Sequence, residues 1–379
     1  MENPCAAYGS VIARLREEGN LRSIPASASI RPGLIDLSSN DYLGLASRPE
    51  LQAEFMDSPE ARAIPLTSSA SRLLCGVQEQ YEALEEMLSG LYGRDALLFN
   101  SGYHANTGLV SALASLPGTL ILADRLVHAS IIDGITLSRA PFKRFRHNDI
   151  GHLSSILDAE SGKWQRILVI TESVFSMDGD TAPLDSLAML KQTHPEVMLY
   201  VDEAHAVGVE GDRGLGLCRT SASYPLFDVV VGTFGKACAS MGAFAVTLPG
   251  LREYLLNRAR SFIFSTALPP IQAAWTRFLL GKIIGMDAER AALRHLGTGL
   301  AERLGITPSH ILPVMTGNPV KAVTLSRKLL DEGFKVLPIR VPTVPPGTDR
   351  LRISLSAALS EEDVSRFADT LLTLTDSQK

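Results

Sequence analysis

No run of lysine and arginine in this 379-residue sequence is long enough to follow a phosphate backbone, and the net charge is −5. Nucleic acid is therefore not expected as a partner. The opening residues, MENPCAAYGSVIARLREEGN, hold no apolar core of signal-peptide length, and the most hydrophobic late segment, Thr266 to Gly285, is broken by Pro269, Pro270, Arg277 and Lys282. A soluble, cytoplasmic protein with no export signal and no membrane span is expected. Cys5, Cys75, Cys218 and Cys238 form no C-x-x-C pair, so reduced, packing thiols are expected and no metal site. Nucleotide signatures are also missing. Asp202-Glu203-Ala204-His205 spells a helicase box, but Ala237 follows Lys236 and no G-x-x-x-x-G-K-[ST] is present. The glycines at 208, 211, 214 and 216 do not follow the G-x-G-x-x-G order of a dinucleotide fold. Internal repeats and low-complexity segments are absent as well.

What is present is a regular alternation of helical periods and short apolar runs. Val77, Tyr81, Leu84, Leu88 and Leu91 share one helical face, and strands are expected at 96–99, 119–124, 166–173, 197–203, 227–234 and 242–248. This is the pattern of a three-layer α/β domain with a mostly parallel central sheet. The last two runs are too close for a helical crossover, so one antiparallel strand is expected. After Pro269 the pattern turns to helices and then to strands in KVLPIRV and RLRISLS, as in a smaller α+β domain. It ends in the helix signal SEEDVSRFADTLLTL, where Ser360 and Asp363 resemble a capping box. The expected organisation is an N-terminal segment 1–40, a large domain 41–250 and a small C-terminal domain 270–379.

Three constellations lie at strand ends, where ligands gather in open α/β sheets. FNSGYHAN places Ser101, Gly102 and Tyr103 between a strand and a helix, where backbone N–H groups can hold a phosphate. YVDEAHAVG presents Asp202 and His205, and TFGK presents Thr233 and Lys236 among small neighbours. Each has a plain structural explanation by itself: a tight turn, a capped strand end, a surface lysine. Together they supply a phosphate cradle, a carboxylate for a ring nitrogen and an amine for an aldehyde. Pyridoxal 5'-phosphate needs all three.

The chain resembles the α-oxoamine synthases, fold-type I pyridoxal-phosphate enzymes related in fold to aspartate aminotransferase. The resemblance runs from LSSNDYLGL (37–45) through SRLLCG, ADRLVHASIIDG, RFRHND, TESVFSMDGDTAPL, VDEAHAVGVEGDRGLG, TFGKACASMGA and FIFSTALPP to PTVPPGTDRLRISLSA (342–357). It implies that Lys236 binds the cofactor covalently, that Asp202 pairs with its ring nitrogen, and that His205 and Ser176 address its phenolic oxygen. It further implies that His128 stacks on the ring. The backbone of Gly102 and Tyr103, with Thr233, would hold the phosphate, and Thr266 would reach it from a second subunit of a homodimer. Asn40 and one arginine of the RLR motif match the substrate-carboxylate site; Arg350 and Arg352 share a strand face, and Arg352 is preferred. The implied reaction is decarboxylative condensation of an amino acid with an acyl thioester. The match of TESVFSMDGDTAPL and FIFSTALPP points to L-alanine and a pimeloyl thioester, on coenzyme A or acyl carrier protein, in biotin synthesis. Glycine- and serine-using siblings share the machinery. Two segments depart from the family: Ser68-Ser69-Ala70 stands where many members are glycine-rich, and ACASMGA after Lys236 lacks some usual glycines.

Overall fold

The computed structural model describes residues 5–22, 24, 33–76 and 78–376. Val77, expected on the first helical face, and residues 1–4, 23 and 25–32 of the N-terminal segment lie outside them. The strands in chain order are β1 (Ile35–Asp36), β2 (Asp95–Phe99), β3 (Thr119–Asp124), β4 (Phe142–Phe145), β5 (Arg166–Glu172), β6 (Val197–Asp202), β7 (Val229–Thr233), β8 (Ala243–Thr247), β9 (Ile311–Met315), β10 (Phe334–Lys335), β11 (Leu337–Ile339) and β12 (Arg350–Ser354).

The chain divides into two compact units. The larger, Asp41–Ser176 with Asp180–Ala291, is built on a seven-stranded sheet of order β2-β8-β7-β6-β5-β3-β4. Only β8 runs antiparallel to its neighbours, because the short link from β7 leaves no room for a crossover helix. Strands β3, β5, β6 and β7 are apolar and almost wholly buried, as a sheet covered on both faces requires. The fold is thus a fold-type I α/β unit with a mostly parallel sheet. Edge strand β4 was not expected, since its FKRF sequence exposes three of its four residues and lacks the apolar run of the inner strands.

The smaller unit holds the described residues up to Asn40, Met177–Gly179, and those from Ala292 onward. It contains a three-stranded antiparallel sheet, β11-β12-β9, and the parallel pair β1-β10. Strand β9 carries Pro313, which hid it in the sequence; the proline is tolerated because β9 lies at the sheet edge. At the last helix, Glu361–Asp376, the Ser360 hydroxyl accepts from the Asp363 N–H at 3.1 Å and donates to its carboxylate at 2.8 Å. The division differs from the expected boundaries. Helix Pro270–Ile283 belongs to the larger unit, since it buries Ala273, Leu279, Leu280 and Ile283 and packs on helix Glu79–Tyr92. The described part of 1–40 falls in the smaller unit because β1 pairs with β10.

In the larger unit, helix Gly102–Ala114 lies against helix Ala129–Ser138. Their closeness depends on Gly134: a Cβ there would stand 2.9 Å from both the Asn106 carbonyl oxygen and Val110 Cβ. Gly134→Ala is expected to destabilise the protein by about 1–3 kcal/mol, because a packed backbone must shift to admit the methyl. Urea unfolding measures this, and an unchanged midpoint would contradict the tight crossing.

Candidate active site

Strands β2, β3, β5, β6 and β7 all end at the same edge of the sheet, and the chemistry-bearing residues leave from those ends. Asp202 closes β6, Thr233 closes β7 and Glu172 closes β5, while His128 follows β3 and Gly102 follows β2. Sheet geometry alone therefore gathers residues that are distant in sequence.

The structure joins Lys236 to His205. Lys236 Nζ lies 2.8 Å from His205 Nε2, and His205 Nδ1 lies 2.6 Å from the Tyr42 hydroxyl. A lysine ammonium can only donate, so with Lys236 charged Nε2 accepts and the imidazole proton sits on Nδ1, facing Tyr42. His205 is buried, and Tyr42 is wholly so.

A second buried group surrounds Asp202. Its Oδ1 accepts from the Ala204 N–H at 2.8 Å and its Oδ2 from Asn106 Nδ2 at 2.7 Å. The same Nδ2 reaches Ser130 Oγ at 2.9 Å, and Tyr200 donates its hydroxyl to Asn106 Oδ1 at 2.6 Å. Ser130 Oγ lies 2.7 Å from His128 Nδ1, which also accepts from the Ser130 N–H at 3.2 Å and so caps helix Ala129–Ser138. Burial lowers the His128 pKa, the Lys236 charge acting in the same sense and Asp202 and Asp133 opposing. Glu172 pairs in register with Asp202 on the adjacent strand, and burial, reinforced by the Asp202 charge, pushes its carboxyl well above the usual range. Two neighbouring buried carboxyls cannot both ionise cheaply, and the Glu172 carboxyl is the one pushed up.

Helix Gly102–Ala114 starts under N-cap Ser101, whose Oγ accepts from the His104 N–H at 3.2 Å. The first-turn N–H groups of Gly102 and Tyr103 have no acceptor within the helix. A Cβ on Gly102 would lie 3.8 Å from Thr233 Oγ1, so the hydroxyl stands beside those donors; it now donates to the Gly242 carbonyl at 3.1 Å. The Tyr103 side chain turns to Asp133, whose carboxylate accepts from its hydroxyl. Ser176 is half-buried after β5. Thr266 is exposed, and its backbone is held to its own chain by Ser71 and by Asn100, which donates to the Thr266 carbonyl at 2.5 Å.

Asn40 and Arg352 lie in the smaller unit, where Arg352 Nη2 donates to Asn40 Oδ1 at 3.2 Å. Arg350, on the same face of β12, gives its guanidinium to Asp178, to the Met177 carbonyl and to the Thr348 carbonyl. Sequence reasoning had not singled out Tyr42, Asn106, Ser130 or Glu172. All four lie inside motifs it quoted, but nothing in their local spacing shows what they touch. The donor set fits pyridoxal phosphate: a buried carboxylate suits a ring cation, a lysine amine an aldehyde, and the helix N-terminus with Thr233 a phosphate.

Comparison with known proteins agrees with this chemistry. The chain matches the family Aminotransferase class I and II over residues 32–371. It is 47% identical over 377 residues to a Pasteurella multocida protein named "Putative 8-amino-7-oxononanoate synthase", covering 95% of this chain and 97% of that protein. Its fold is similar to that of a serine palmitoyltransferase from S. paucimobilis solved with a PLP–myriocin adduct, with TM-score 0.89, 28% identity and 99% of each chain covered. It is also similar to the 8-amino-7-oxononanoate synthase of Francisella tularensis, with TM-score 0.75, 28% identity and coverage of 91% and 98%. The chain belongs to the class I and II aminotransferase family and is a pyridoxal-phosphate-dependent acyltransferase of its α-oxoamine synthase branch.

The two segments that depart from the family keep unusual backbone. Ser69 has φ 52° and Ala239 φ 44°, both in the left-handed region that side chains with a Cβ disfavour. The cost is about 1–2 kcal/mol per residue, offset partly by the extra entropy that glycine loses on folding. Ala239→Gly is expected to gain about 0.5–1 kcal/mol, read as a higher melting temperature.

Glu203, next to Asp202, is fully buried, and its Oε1 accepts from the Leu217 and Cys218 N–H groups at 2.8 and 3.0 Å. Burial outweighs those bonds and raises its pKa from 4.5 to about 7. Between those values the folded protein holds a proton that the unfolded chain has released, so stability falls as pH rises through the window and the loss is complete above it. Glu203→Gln keeps an acceptor for both N–H groups and cannot ionise. Its melting temperature is expected to fall less between pH 5 and 8 than that of the parent; equal slopes would contradict the assignment.

Proposed function

We propose that the protein condenses L-alanine with a pimeloyl thioester, on coenzyme A or acyl carrier protein, to give 8-amino-7-oxononanoate, CO2 and the free thiol, in biotin biosynthesis. The observation that carries this reading is the 47% identity that extends over 95% of the chain to a relative so named. A second reading, serine with a long-chain acyl thioester, has the likeness to serine palmitoyltransferases behind it. Glycine-using siblings remain within the same chemistry.

In this reading Lys236 takes the cofactor covalently and later moves the proton at the amino acid's Cα. Its contact with His205 gives that proton a neighbour to pass to, and Tyr42 orients the imidazole. Asp202 would pair with the cofactor's ring nitrogen, and His128 would pack against the ring. His205 and Ser176 address the phenolic oxygen. The N–H groups of Gly102 and Tyr103, the Thr233 hydroxyl and Thr266 of a second subunit hold the phosphate. When bound, the cofactor supplies an electron sink for the Cα bonds. In the smaller unit, Asn40 and Arg352 bind the substrate carboxylate; the engagement of Arg350 with Asp178 supports the preference for Arg352. A homodimer is supported by large apolar side chains left on the surface of the larger unit, including Leu66, Leu74, Leu137 and Phe264, at 64–79% exposure. The reading makes this a cytoplasmic enzyme; among the described residues no helix is long and apolar enough to cross a membrane.

The test is CO2 release with alanine, glycine and serine against a panel of acyl thioesters. Alanine with the pimeloyl thioester is expected to give the highest kcat/KM; serine with palmitoyl-CoA leading would favour the second reading. Lys236→Ala is expected to lower turnover by about a thousandfold or more with the melting temperature nearly unchanged. Retention of a few per cent of the rate would count against Lys236 as the proton carrier.

A further inference from the structure

We infer that Asn106 and Ser130 are positioning residues that fix Asp202 and His128 together, so that His128 stays neutral with its proton on Nε2 and the Asp202 charge is left for a cation that enters the site. The inference rests on the reading that Asp202 and His128 face the cofactor, but not on which substrates are used.

The argument follows the direction of each hydrogen bond. Asn106 could in principle be turned either way, yet a turned amide would set its oxygen against Asp202 Oδ2 at 2.7 Å, oxygen against oxygen. The carboxylate therefore fixes the amide with its nitrogen inward, and the Tyr200 hydroxyl completes the arrangement by donating to Oδ1. The second N–H of Asn106 donates to Ser130 Oγ, which leaves the Ser130 hydroxyl proton for another acceptor. That acceptor is His128 Nδ1 at 2.7 Å, which the Ser130 N–H also approaches at 3.2 Å. A nitrogen facing two donors cannot carry a proton itself, so the imidazole proton sits on Nε2. An imidazolium would point Nδ1–H at the Ser130 N–H, so the network opposes charging of the ring.

Charged groups around His128 act in both directions. Asp202 and Asp133 favour the cation, while Lys236 and burial disfavour it. Without the serine donors, Asp202 would tend to draw a proton onto His128 and spend its charge there. With them that charge stays available, and the upward push on the Glu172 carboxyl acts in the same sense. Asn106 serves both ends, since one amide nitrogen touches the carboxylate and the serine that holds the imidazole.

The experiment is imidazole nitrogen NMR on the cofactor-loaded full chain labelled with 15N at histidine, with the His128 signals assigned by loss in His128→Gln. His128 is expected to show a bare Nδ1 and a protonated Nε2 across neutral pH. Ser130→Ala should bind a proton at His128 roughly tenfold more tightly, the value of about one neutral hydrogen bond, and Ser130→Thr should return the titration to that of the parent. A proton on Nδ1, a cationic His128 at neutral pH, or a Ser130→Ala titration equal to the parent's would overturn the inference. Asn106→Ala should lower kcat per bound cofactor about tenfold or more, leave KM for the amino acid within about threefold and weaken pyridoxal-phosphate binding about tenfold, the loss expected for one buried charge-assisted bond. A merely structural Asn106 would lower the melting temperature and leave kcat per bound cofactor unchanged, which also overturns the inference. Should Asn106→Ala not fold, the two serine variants decide the question. A wrong substrate assignment would change the rates in the thioester panel and leave the His128 titration as expected, so the two failures are distinct.

Discussion

Asp202 is a carboxylate placed where water hardly reaches, at the end of a strand in the middle of a seven-stranded sheet. Removing such a group from water costs several kcal/mol unless donors or a counter-charge replace the lost solvation. Much of the surrounding structure answers that demand. The backbone supplies the Ala204 N–H, and the neighbouring helix supplies the Asn106 amide. The helix that carries Asn106 meets its neighbour backbone to backbone at Gly134, and Ser130 of that neighbour accepts from the same amide. The same demand explains Glu172: beside one buried charge, a second carboxyl is cheaper to keep protonated than to ionise. A buried anion and a lysine amine at one sheet edge would be a poor way to stabilise a fold. In the proposed reading they are placed to hold a cationic ring.

The fold was legible in the sequence where burial is uniform. Strands β3, β5, β6 and β7 are enclosed on both faces, so their residues are continuously apolar and their spacing announces a parallel sheet. Edge strands carry no such mark. In β4 three of four residues are exposed, and β9 tolerates a proline that argues against a strand when read locally. The unit boundary was obscured for a related reason: the proline pair at 269–270 marks the start of a helix, and the apolar face of that helix, not its start, decides which unit it joins.

The candidate site divides in the same way. Lys236, Asp202, His205 and Gly102 lie in short motifs whose residue types suggest their chemistry. Tyr42 touches His205 from 163 residues away, and Asn106 touches Asp202 from 96. No periodicity connects such pairs; only the convergence of strand ends does. Ser130 is a sharper case, because it sits two residues from His128 and the sequence already shows it, yet its hydroxyl acquires a direction only when Asn106 occupies its acceptor side.

In the proposed reading, chemistry and substrate choice are carried by different parts of the chain. The cluster around Asp202 and Lys236 is built wholly within the larger unit, and in that reading it concerns events at the amino acid's Cα. The choice of acyl chain needs groups that meet the far end of the thioester substrate, and these can change without disturbing that cluster. Arg350 and Arg352 illustrate the point: the same residue type two positions apart on one strand face has two different partners, Asp178 for one and Asn40 for the other. A guanidinium already paired with a carboxylate has little left to offer another. The segment around Ser69 holds a left-handed turn without glycine, so it carries side chains where the family resemblance implies glycine.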